Sequence, residues 1–377
     1  MTRNGTCDVA IVGGGITGAL LSQSLTASGI KPLIIERRRD ALLGSTAAST
    51  SLLQFELDTP LVELTRKIGR RAAERIWRCS LESIAELRTR VRLLKIDARM
   101  RPRPSLYLAG NVLDAAGLRR ELKARQRVGL PSELLERKAL SRHFEISRSA
   151  AILSHGNAEA DPLALAAGFL RRALREGARL HAPNEVVDLY THRRGVTLAL
   201  EHGLQIEARR VVFCTGYEMP KIVPAGANRI TSTWAMATRA QPQKLWPQRA
   251  LIWEASDPYL YLRTTPDGRV LCGGEDEEFT NEKRRDARIE AKTATLERKL
   301  GKLHDRLDTR AAYRWAGCFG SSPAGTPTIG QIPGHPRCYA ALGYGGNGIT
   351  FAMLAATLLT AQLRGTPEPH ARLFAFE

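Results

Sequence analysis

The chain has 377 residues, of which 43% are hydrophobic, and a formal net charge of +18. A chain of this length can bury a large core and is expected to form about two domains. Its apolar segments are too short for a membrane span, and the first predicted strand starts near residue 8, too early for a signal peptide. We therefore expect a cytoplasmic protein without a membrane span. The six cysteines form no CxxC pair and have no histidine cluster nearby, which favours free thiols and no metal site.

The positive charge is concentrated in residues 66–127, which contain 18 Lys and Arg against 6 Asp and Glu. Such a region can attract a polyanion. However, aromatic residues do not alternate regularly with the basic ones, as they would in a surface that stacks bases. Arginine is also abundant throughout the chain. We expect a solvated helix face and no nucleic-acid partner, although charge alone does not exclude RNA.

The first predicted elements are a strand, a glycine turn, a helix and a second strand. The apolar residues 9–12 lead into the turn, and the apolar residues 33–35 end at Glu36. The glycines of the turn are Gly13, Gly15 and Gly18. In this order they permit the tight turn, the approach of a pyrophosphate to the backbone, and close packing of helix and strand, while the acid accepts hydrogen bonds from a ribose. The pattern predicts a dinucleotide site, which by itself suits FAD or NAD.

Three later segments favour a flavin that binds in an extended pose. Residues 44–49, with the sequence GSTAAS, offer hydroxyls and free amides just after the second strand. Residues 210–216 form an apolar strand that ends in a turn of small residues. Residues 343–350, with the sequence GYGGNGIT, open an apolar helix whose N-terminal amides can face the flavin carbonyls or a negative charge on the reduced ring.

The remaining elements alternate between helices and strands. A long helix is predicted over residues 68–91, and Pro102 and Pro104 are expected to end the helical pattern before a strand at 105–108. Asp161 is expected to cap a helix that has Pro162 at its first position. Further strands are predicted at 179–181, from 186, at 197–201 and at 204–207. A hairpin is predicted at 259–263 and 269–272, followed by a helix over 282–303.

In their order along the chain, these motifs resemble the family of FAD-dependent oxidoreductases that includes D-amino-acid oxidase, glycine oxidase and sarcosine oxidase. The resemblance covers nearly the whole chain and includes the Trp-Ala-Gly at 315–317 and the Thr-Pro-Thr-Ile-Gly at 326–330. It implies an α/β fold with a Rossmann-like FAD-binding domain and a second, α+β domain of mostly antiparallel sheet. We assign residues 1–90, 145–222 and 312–377 to the FAD-binding domain, and 91–144 and 223–311 to the substrate domain.

The resemblance also implies non-covalent FAD and a set of residues that bind it. The backbone at Val186 corresponds to the position that contacts the adenine. Cys318 lies one residue from the place where sarcosine oxidase-like members attach flavin, and we expect it to stay an unmodified thiol. The predicted cofactor residues are Gly13, Gly15, Ile16, Thr17, Gly18, Glu36, Arg37, Ser45, Thr46, Ser49, Val186, Thr215, Gly216, Gly345, Gly346, Asn347, Gly348, Ile349 and Thr350.

The substrate pocket is expected where the second sheet covers the flavin. Strand alternation puts Tyr259, Tyr261 and Arg263 on one face of that sheet, and they are the candidate pocket residues, although the two tyrosines could equally be plain packing. Glycine oxidase-like members grip the substrate carboxylate with arginines at two positions that here hold Phe319 and Gly346. The usual carboxylate clamp is therefore missing, and only Arg263 is left as a candidate to replace it.

The resemblance implies an enzyme that oxidises a C–N bond of an amine or amino acid. A hydride would pass to flavin N5, the imine would be hydrolysed, and oxygen or another acceptor would reoxidise the cofactor. Two alternatives stay open on the same fold: a hydroxy-acid or polyol-phosphate dehydrogenase, and an RNA-modifying flavoprotein. The sequence leaves the identity of the small-molecule substrate and the oligomeric state undetermined.

Overall fold

The structure is a computed structural model that describes residues 5–224 and 228–376. Its helices are α1 (Ile16–Ala27), α2 (Ser45–Ala48), α3 (Leu61–Ile68), α4 (Arg70–Leu93), α5 (Ala115–Arg127), α6 (Arg137–Phe144), α7 (Pro162–Arg175), α8 (Glu282–Asp286), α9 (Ile289–Leu303) and α10 (Gly348–Arg364). Its strands are β1 (Gly5–Val12), β2 (Leu33–Ile35), β3 (Leu52–Leu53), β4 (Arg101–Leu108), β5 (Ser132–Glu136), β6 (Ala150–Glu159), β7 (Arg179–His181), β8 (Val186–His192), β9 (Gly195–Leu200), β10 (Gln205–Phe213), β11 (Arg229–Thr238), β12 (Leu251–Glu254), β13 (Leu260–Thr264), β14 (Val270–Glu277), β15 (Ala311–Ser321), β16 (Thr328–Gln331) and β17 (Cys338–Leu342).

The first sheet has a parallel centre in the order β17-β10-β1-β2-β7. Strand β16 joins one edge antiparallel to β17, while β8 and β9 form an antiparallel extension along the first half of β10. The predicted strand, glycine turn, helix and second strand are therefore confirmed as β1, α1 and β2. Because β1 and β10 lie side by side and parallel, their carboxyl ends meet at one edge, where ligands bind in open α/β sheets.

Helices cover the parallel sheet and bury much of the core. Helix α1 packs against α7 and α10, and residues 17–25 of α1 are all buried, including small polar residues such as Ser22 and Ser24. Asp161 caps α7 as predicted, because its carboxylate accepts the N–H of Ala164 at 2.9 Å and Pro162 occupies the first position of the helix.

The second sheet runs in the order β15-β11-β14-β13-β12-β4-β6-β3, with β5 also paired to β6. Among the described strands its neighbours are antiparallel except for β12 and β4, which run parallel. The expectation of a Rossmann-like unit beside a mostly antiparallel sheet is thus confirmed. Helices α6 and α9 pack on this sheet around a core that includes Trp234, Trp246 and Leu296.

Two predicted boundaries were wrong for a local reason. Strand β4 starts at Arg101, so Pro102 and Pro104 lie within the strand and do not precede it. Strand β12 pairs with β4 only from Ser105 onward, so the prolines need donate no hydrogen bond on that edge. The helix predicted over 282–303 is divided at residues 287–288 into α8 and α9.

The domain division stays a prediction, but three strands affect its boundaries. Strands β3, β6 and β15 belong to the second sheet, although the predicted ranges 1–90, 145–222 and 312–377 would place them in the FAD-binding domain. The sequence pattern therefore does not reveal which strands in these ranges join the second sheet. Among the described residues, no helix combines the length and apolar character needed to cross a bilayer.

Candidate active site

A cavity of about 710 Å³ extends from the glycine turn after β1 to the face of the second sheet. Its walls include the predicted GSTAAS segment, the turn after β10, and the glycine motif that opens α10. We refer to the part near Glu36 and the glycine turn as the cofactor end. The part near the second sheet, lined by Asp58, Thr233, Trp253, Tyr259, Tyr261 and Phe319, is called the substrate end.

The glycines of the first turn have different physical roles. Gly13 has φ +110°, and a side chain there would collide with the Cys214 carbonyl, so only glycine fits. A side chain on Gly18 would collide with the carbonyl of Gly13, which keeps α1 close to β1. Gly15 instead borders the cavity, and the nearest atom to an added Cβ would be the Thr46 hydroxyl oxygen at 3.3 Å. The turn therefore leaves bare backbone facing the cavity at Gly15.

Glu36 lies at the end of β2 and is only 6% exposed. One carboxylate oxygen accepts the N–H of Gly14 at 2.8 Å, and the other accepts the N–H of Arg38 at 2.8 Å. Each oxygen keeps a second lone pair, because an ionised carboxylate has about four acceptor sites. Glu36 therefore stabilises the glycine turn and can still accept hydrogen bonds from a diol in the cavity.

The start of α10 is fixed by the segment at residues 54–58. The Asn347 amide donates to the carbonyl of Glu56 at 2.7 Å, and the Thr350 hydroxyl donates to the carbonyl of Gln54 at 3.0 Å. These bonds hold the N-terminus of a 17-residue helix at the cavity, where Gly348 and Ile349 line the wall. A helix N-terminus in this position favours negative charge on a bound group.

The predicted cofactor residues lie along the cavity wall, with two exceptions. Gly18 packs against Gly13, and Thr350 is buried, with its hydroxyl donating to the carbonyl of Gln54. The bare backbone at Gly15, the acceptor capacity of Glu36 and the two helix N-termini suit an extended dinucleotide such as FAD. That each of these residues contacts the cofactor stays a prediction.

The substrate end is walled by aromatic rings from the second sheet. The rings of Tyr259 and Tyr261 lie 5.9 Å apart between centroids. The ring of Tyr261 packs against Gly273, its pairing partner on β14, and a side chain added to Gly273 would collide with that ring. Trp253 stacks on Tyr107 with centroids 3.9 Å apart. The two predicted tyrosines therefore do lie at the cavity.

The interpretation of Arg263 as a pocket residue was wrong. Its side chain is 6% exposed and does not line the cavity. The guanidinium donates to the backbone carbonyls of Thr50 and Thr264, the latter at 3.0 Å. Alternation correctly puts Arg263 on the same face as the tyrosines, but the long side chain extends to a neighbouring segment whose carbonyls need donors. Arg263 is therefore not free to grip a substrate.

The sequence reasoning missed two acids near these tyrosines. Asp58 lines the cavity, and its pKa is raised by burial although the N–H of Gly346 lowers it. Burial also raises the pKa of Asp276 to about 6, against the opposing effect of the Thr233 and Tyr259 hydroxyls. Neither acid stands in a motif, so no sequence signal distinguished them.

Cys318 is buried and lines the cavity next to Phe319. Its Sγ lies 3.2 Å from Nη1 of Arg285 and 3.7 Å from the Ser232 hydroxyl. All six cysteines are unpaired. In the described stretches no group of three or more His, Cys, Asp or Glu side chains is arranged to hold a metal ion, and a protein without a metal stays a prediction.

The parallel sheet, its glycine turn and the acid after β2 define a protein of the dinucleotide-binding class, with a second sheet over the other end of its cavity. The family model for FAD dependent oxidoreductases (DAO) matches residues 8–362, so the chain belongs to this family. The resemblance given by the motifs is thereby confirmed, and the cofactor is FAD.

Individual relatives agree with this assignment. Gamma-glutamylputrescine oxidoreductase of Escherichia coli (strain K12) is 26% identical over 374 residues, covering 96% of this chain and 85% of that protein. Glycine oxidase from Geobacillus kaustophilus superposes with a TM-score of 0.82 at 20% identity, over 99% of both chains. L-proline dehydrogenase from P. horikoshii superposes with a TM-score of 0.80 at 16% identity, over 99% of this chain and 97% of that one. The two structures show a shared fold.

Proposed function

We propose that this protein oxidises a C–N bond of a small amine that lacks a carboxylate beside the reacting carbon. The observation that carries the proposal is the lining of the substrate end. Phe319 and Gly346 line the cavity at the positions where, by the resemblance, glycine oxidase-like enzymes hold arginines. The guanidinium of Arg263 donates to backbone carbonyls instead. Without a bidentate arginine, little else would hold a small zwitterion such as glycine.

The proposed oxidation removes a hydride from carbon and a proton from the neighbouring nitrogen, which leaves a C=N bond. Water then adds to the imine and releases a carbonyl compound together with ammonia or an amine. When bound, FAD supplies the hydride acceptor, and oxygen or another oxidant takes the two electrons from it. The rings of Tyr259, Tyr261 and Phe319 would bind the apolar part of the amine and exclude water from it.

A relative supports the choice of an amine over an amino acid. The Escherichia coli protein, at 26% identity, is named for a putrescine derivative. The alternative of a polyol-phosphate or hydroxy-acid dehydrogenase lacks a supporting observation, since the cationic residues that line the cavity, Arg37, Arg38 and Lys221, come from the loops of the cofactor end. Of these, Arg37 and Arg38 already pair with Glu218.

An RNA partner is likewise not proposed. Several arginines of the basic region are paired with acids, as in the contact of Arg90 with Glu86 at 2.7 Å and of Arg127 with Glu74 at 3.2 Å. We keep the prediction of no tight RNA binding at physiological salt, and a sub-micromolar affinity that discriminates between tRNAs would contradict it. A cytoplasmic location also stays a prediction.

Anaerobic bleaching of the flavin tests the proposed function directly. The yellow protein is mixed with primary amines, secondary amines, glycine, D-alanine, glycolate and glycerol 3-phosphate, and the loss of absorbance is followed. We expect amines to bleach the flavin much faster than glycine or D-alanine. Rapid bleaching by glycine, D-alanine or glycerol 3-phosphate, with none by any amine, would exclude the proposal.

A further inference from the structure

Asp58 lines the substrate end of the cavity beside the glycine motif that opens α10. Its Oδ2 accepts the N–H of Gly346 at 2.8 Å, while its Oδ1 accepts no hydrogen bond from the described residues. A Cβ added to Gly346 would lie 3.0 Å from Oδ1, so the carboxylate covers the backbone of the glycine motif. The side chain is open to the cavity, yet the surrounding protein is dense enough to raise its pKa.

No cation among the described residues balances the negative charge of Asp58. Glu56, the next acid along the segment, lies 3.8 Å from the buried guanidinium of Arg125, and its Oε1 accepts the hydroxyl of Ser105. The influences on the pKa of Asp58 are burial and the Gly346 amide, and no cation is among them. A carboxylate in this environment favours a ligand that brings a positive charge.

Asp276 adds to the negative potential at the substrate end. It neighbours Tyr259, and its Oδ1 has no hydrogen-bond partner among the described residues. The cation that lowers its pKa, Lys292, is already held by Glu277 at 2.8 Å and lies over the ring of Trp234. Among the described residues, Asp58 therefore lines the substrate end, Asp276 lies buried behind its wall beside Tyr259, and the cations that line the cavity come from the loops of the cofactor end.

The walls of the substrate end also suit a cation. Tyr259, Tyr261 and Trp253 line the same cavity as Asp58. Aromatic faces attract ammonium groups through the negative potential of the ring, and this attraction strengthens when the cation is removed from water. An acid beside aromatic rings therefore suits an ammonium group on both counts.

We propose that Asp58 binds an ammonium group of the substrate and makes the enzyme selective for cationic amines over amino acids. This inference rests on the proposed function and specifies that the substrate carries a positive charge. A substrate carboxylate at the same place would meet the carboxylate of Asp58 and be repelled by it. The site is therefore opposite in charge to a carboxylate clamp.

Three probes that share a tert-butyl group test the charge preference without turnover. The tert-butyl group has no hydrogen on the carbon next to nitrogen, so tert-butylammonium cannot be dehydrogenated. Its neutral and anionic counterparts are tert-butanol and pivalate. Binding to the FAD-loaded protein is measured from the shift of the flavin absorbance spectrum, which reports a dissociation constant for each probe. We expect tert-butylammonium to bind about tenfold to a hundredfold more tightly than tert-butanol, the range of a charge-assisted hydrogen bond, and pivalate to bind weakest.

Asp58→Asn should abolish this preference and bring the two dissociation constants within about twofold. The asparagine oxygen can still accept the Gly346 N–H, and Asp58→Ser serves as a second variant if the first does not hold FAD. Asp257→Asn is the matched control, because it removes the same charge from an exposed residue outside the cavity, and it should keep the preference. Equal binding of the three probes by the wild type, tighter binding of pivalate, or an unchanged preference in the Asp58 variants would overturn the inference. Bleaching by amines without a preference for tert-butylammonium would reject the role of Asp58 alone, whereas no bleaching by amines would reject the proposed function.

Discussion

Replacing Glu36 separates two roles that the structure gives to one carboxylate. Its two oxygens each accept a backbone N–H at 2.8 Å, from Gly14 and Arg38, and the side chain lines the cavity. A hydrogen bond to a charged group contributes about 1.5–3 kcal/mol. Loss of one such bond to the ribose of FAD should therefore weaken binding by about 10- to 150-fold in Glu36→Ala.

The same substitution should also lower the stability of the protein without FAD. The Gly14 N–H is part of a buried turn, and leaving a buried donor unpaired costs about 1–3 kcal/mol. Glu36→Gln keeps one carbonyl oxygen as an acceptor, so we expect an intermediate loss in both properties.

Two assays distinguish the roles. Titration of FAD with the apo-protein gives the dissociation constant through fluorescence quenching, and urea unfolding of the apo-protein gives the free energy of unfolding. If Glu36→Ala loses stability but binds FAD as tightly as the wild type, the carboxylate holds only the turn, and the assignment of Glu36 to the ribose is refuted.

Three further predictions follow from the cavity. Gly15→Val should fold but purify colourless, because its side chain enters the space for the pyrophosphate, whereas Gly301→Ala, within α9 and with only an ordinary contact to Thr309 at 3.6 Å, should stay yellow; a yellow Gly15→Val protein would contradict the cofactor geometry. The pKa of Asp276 is raised from 3.8 to about 6, so its stabilising contribution is complete below about pH 4 and is lost as the pH rises through 6. Asp276→Asn should accordingly gain up to about 3 kcal/mol in unfolding free energy over the wild type between pH 4 and pH 7, and a pH-independent difference between the two proteins would refute this. Acid precipitation should release all the FAD and leave a white pellet, while a yellow pellet that turns white in Cys318→Ala would reveal covalent attachment.

Local patterns predicted the cofactor end well, since its geometry depends on residues close in sequence. The spacing of Gly13, Gly15 and Gly18 determines which backbone atoms can approach each other within a single turn. Glu36 follows from the end of the next strand. The same holds for the cap at Asp161, which lies within one helical turn of its partner.

The substrate end could not be predicted in the same way. Alternation assigned Arg263 to a face of the sheet, but the destination of a long side chain depends on the segments packed above it. Asp58 and Gly346 are 288 residues apart in sequence, and only the folded chain brings the acid onto the glycine motif. Pro102 and Pro104 were misread because their tolerance depends on where β12 stops pairing, which is a property of the sheet.

The contact between Asp58 and Gly346 has a consequence for the evolution of substrate choice in this fold. An arginine at position 346 alone would put its Cβ 3.0 Å from Oδ1 of Asp58 and would form an ion pair in the space that a substrate needs. Loss of the acid alone would remove the cation anchor without creating an anion site. We expect each single change to give a poorer enzyme than the double change. A lineage that moves between amines and amino acids must therefore cross a fitness valley, and the two positions should change together.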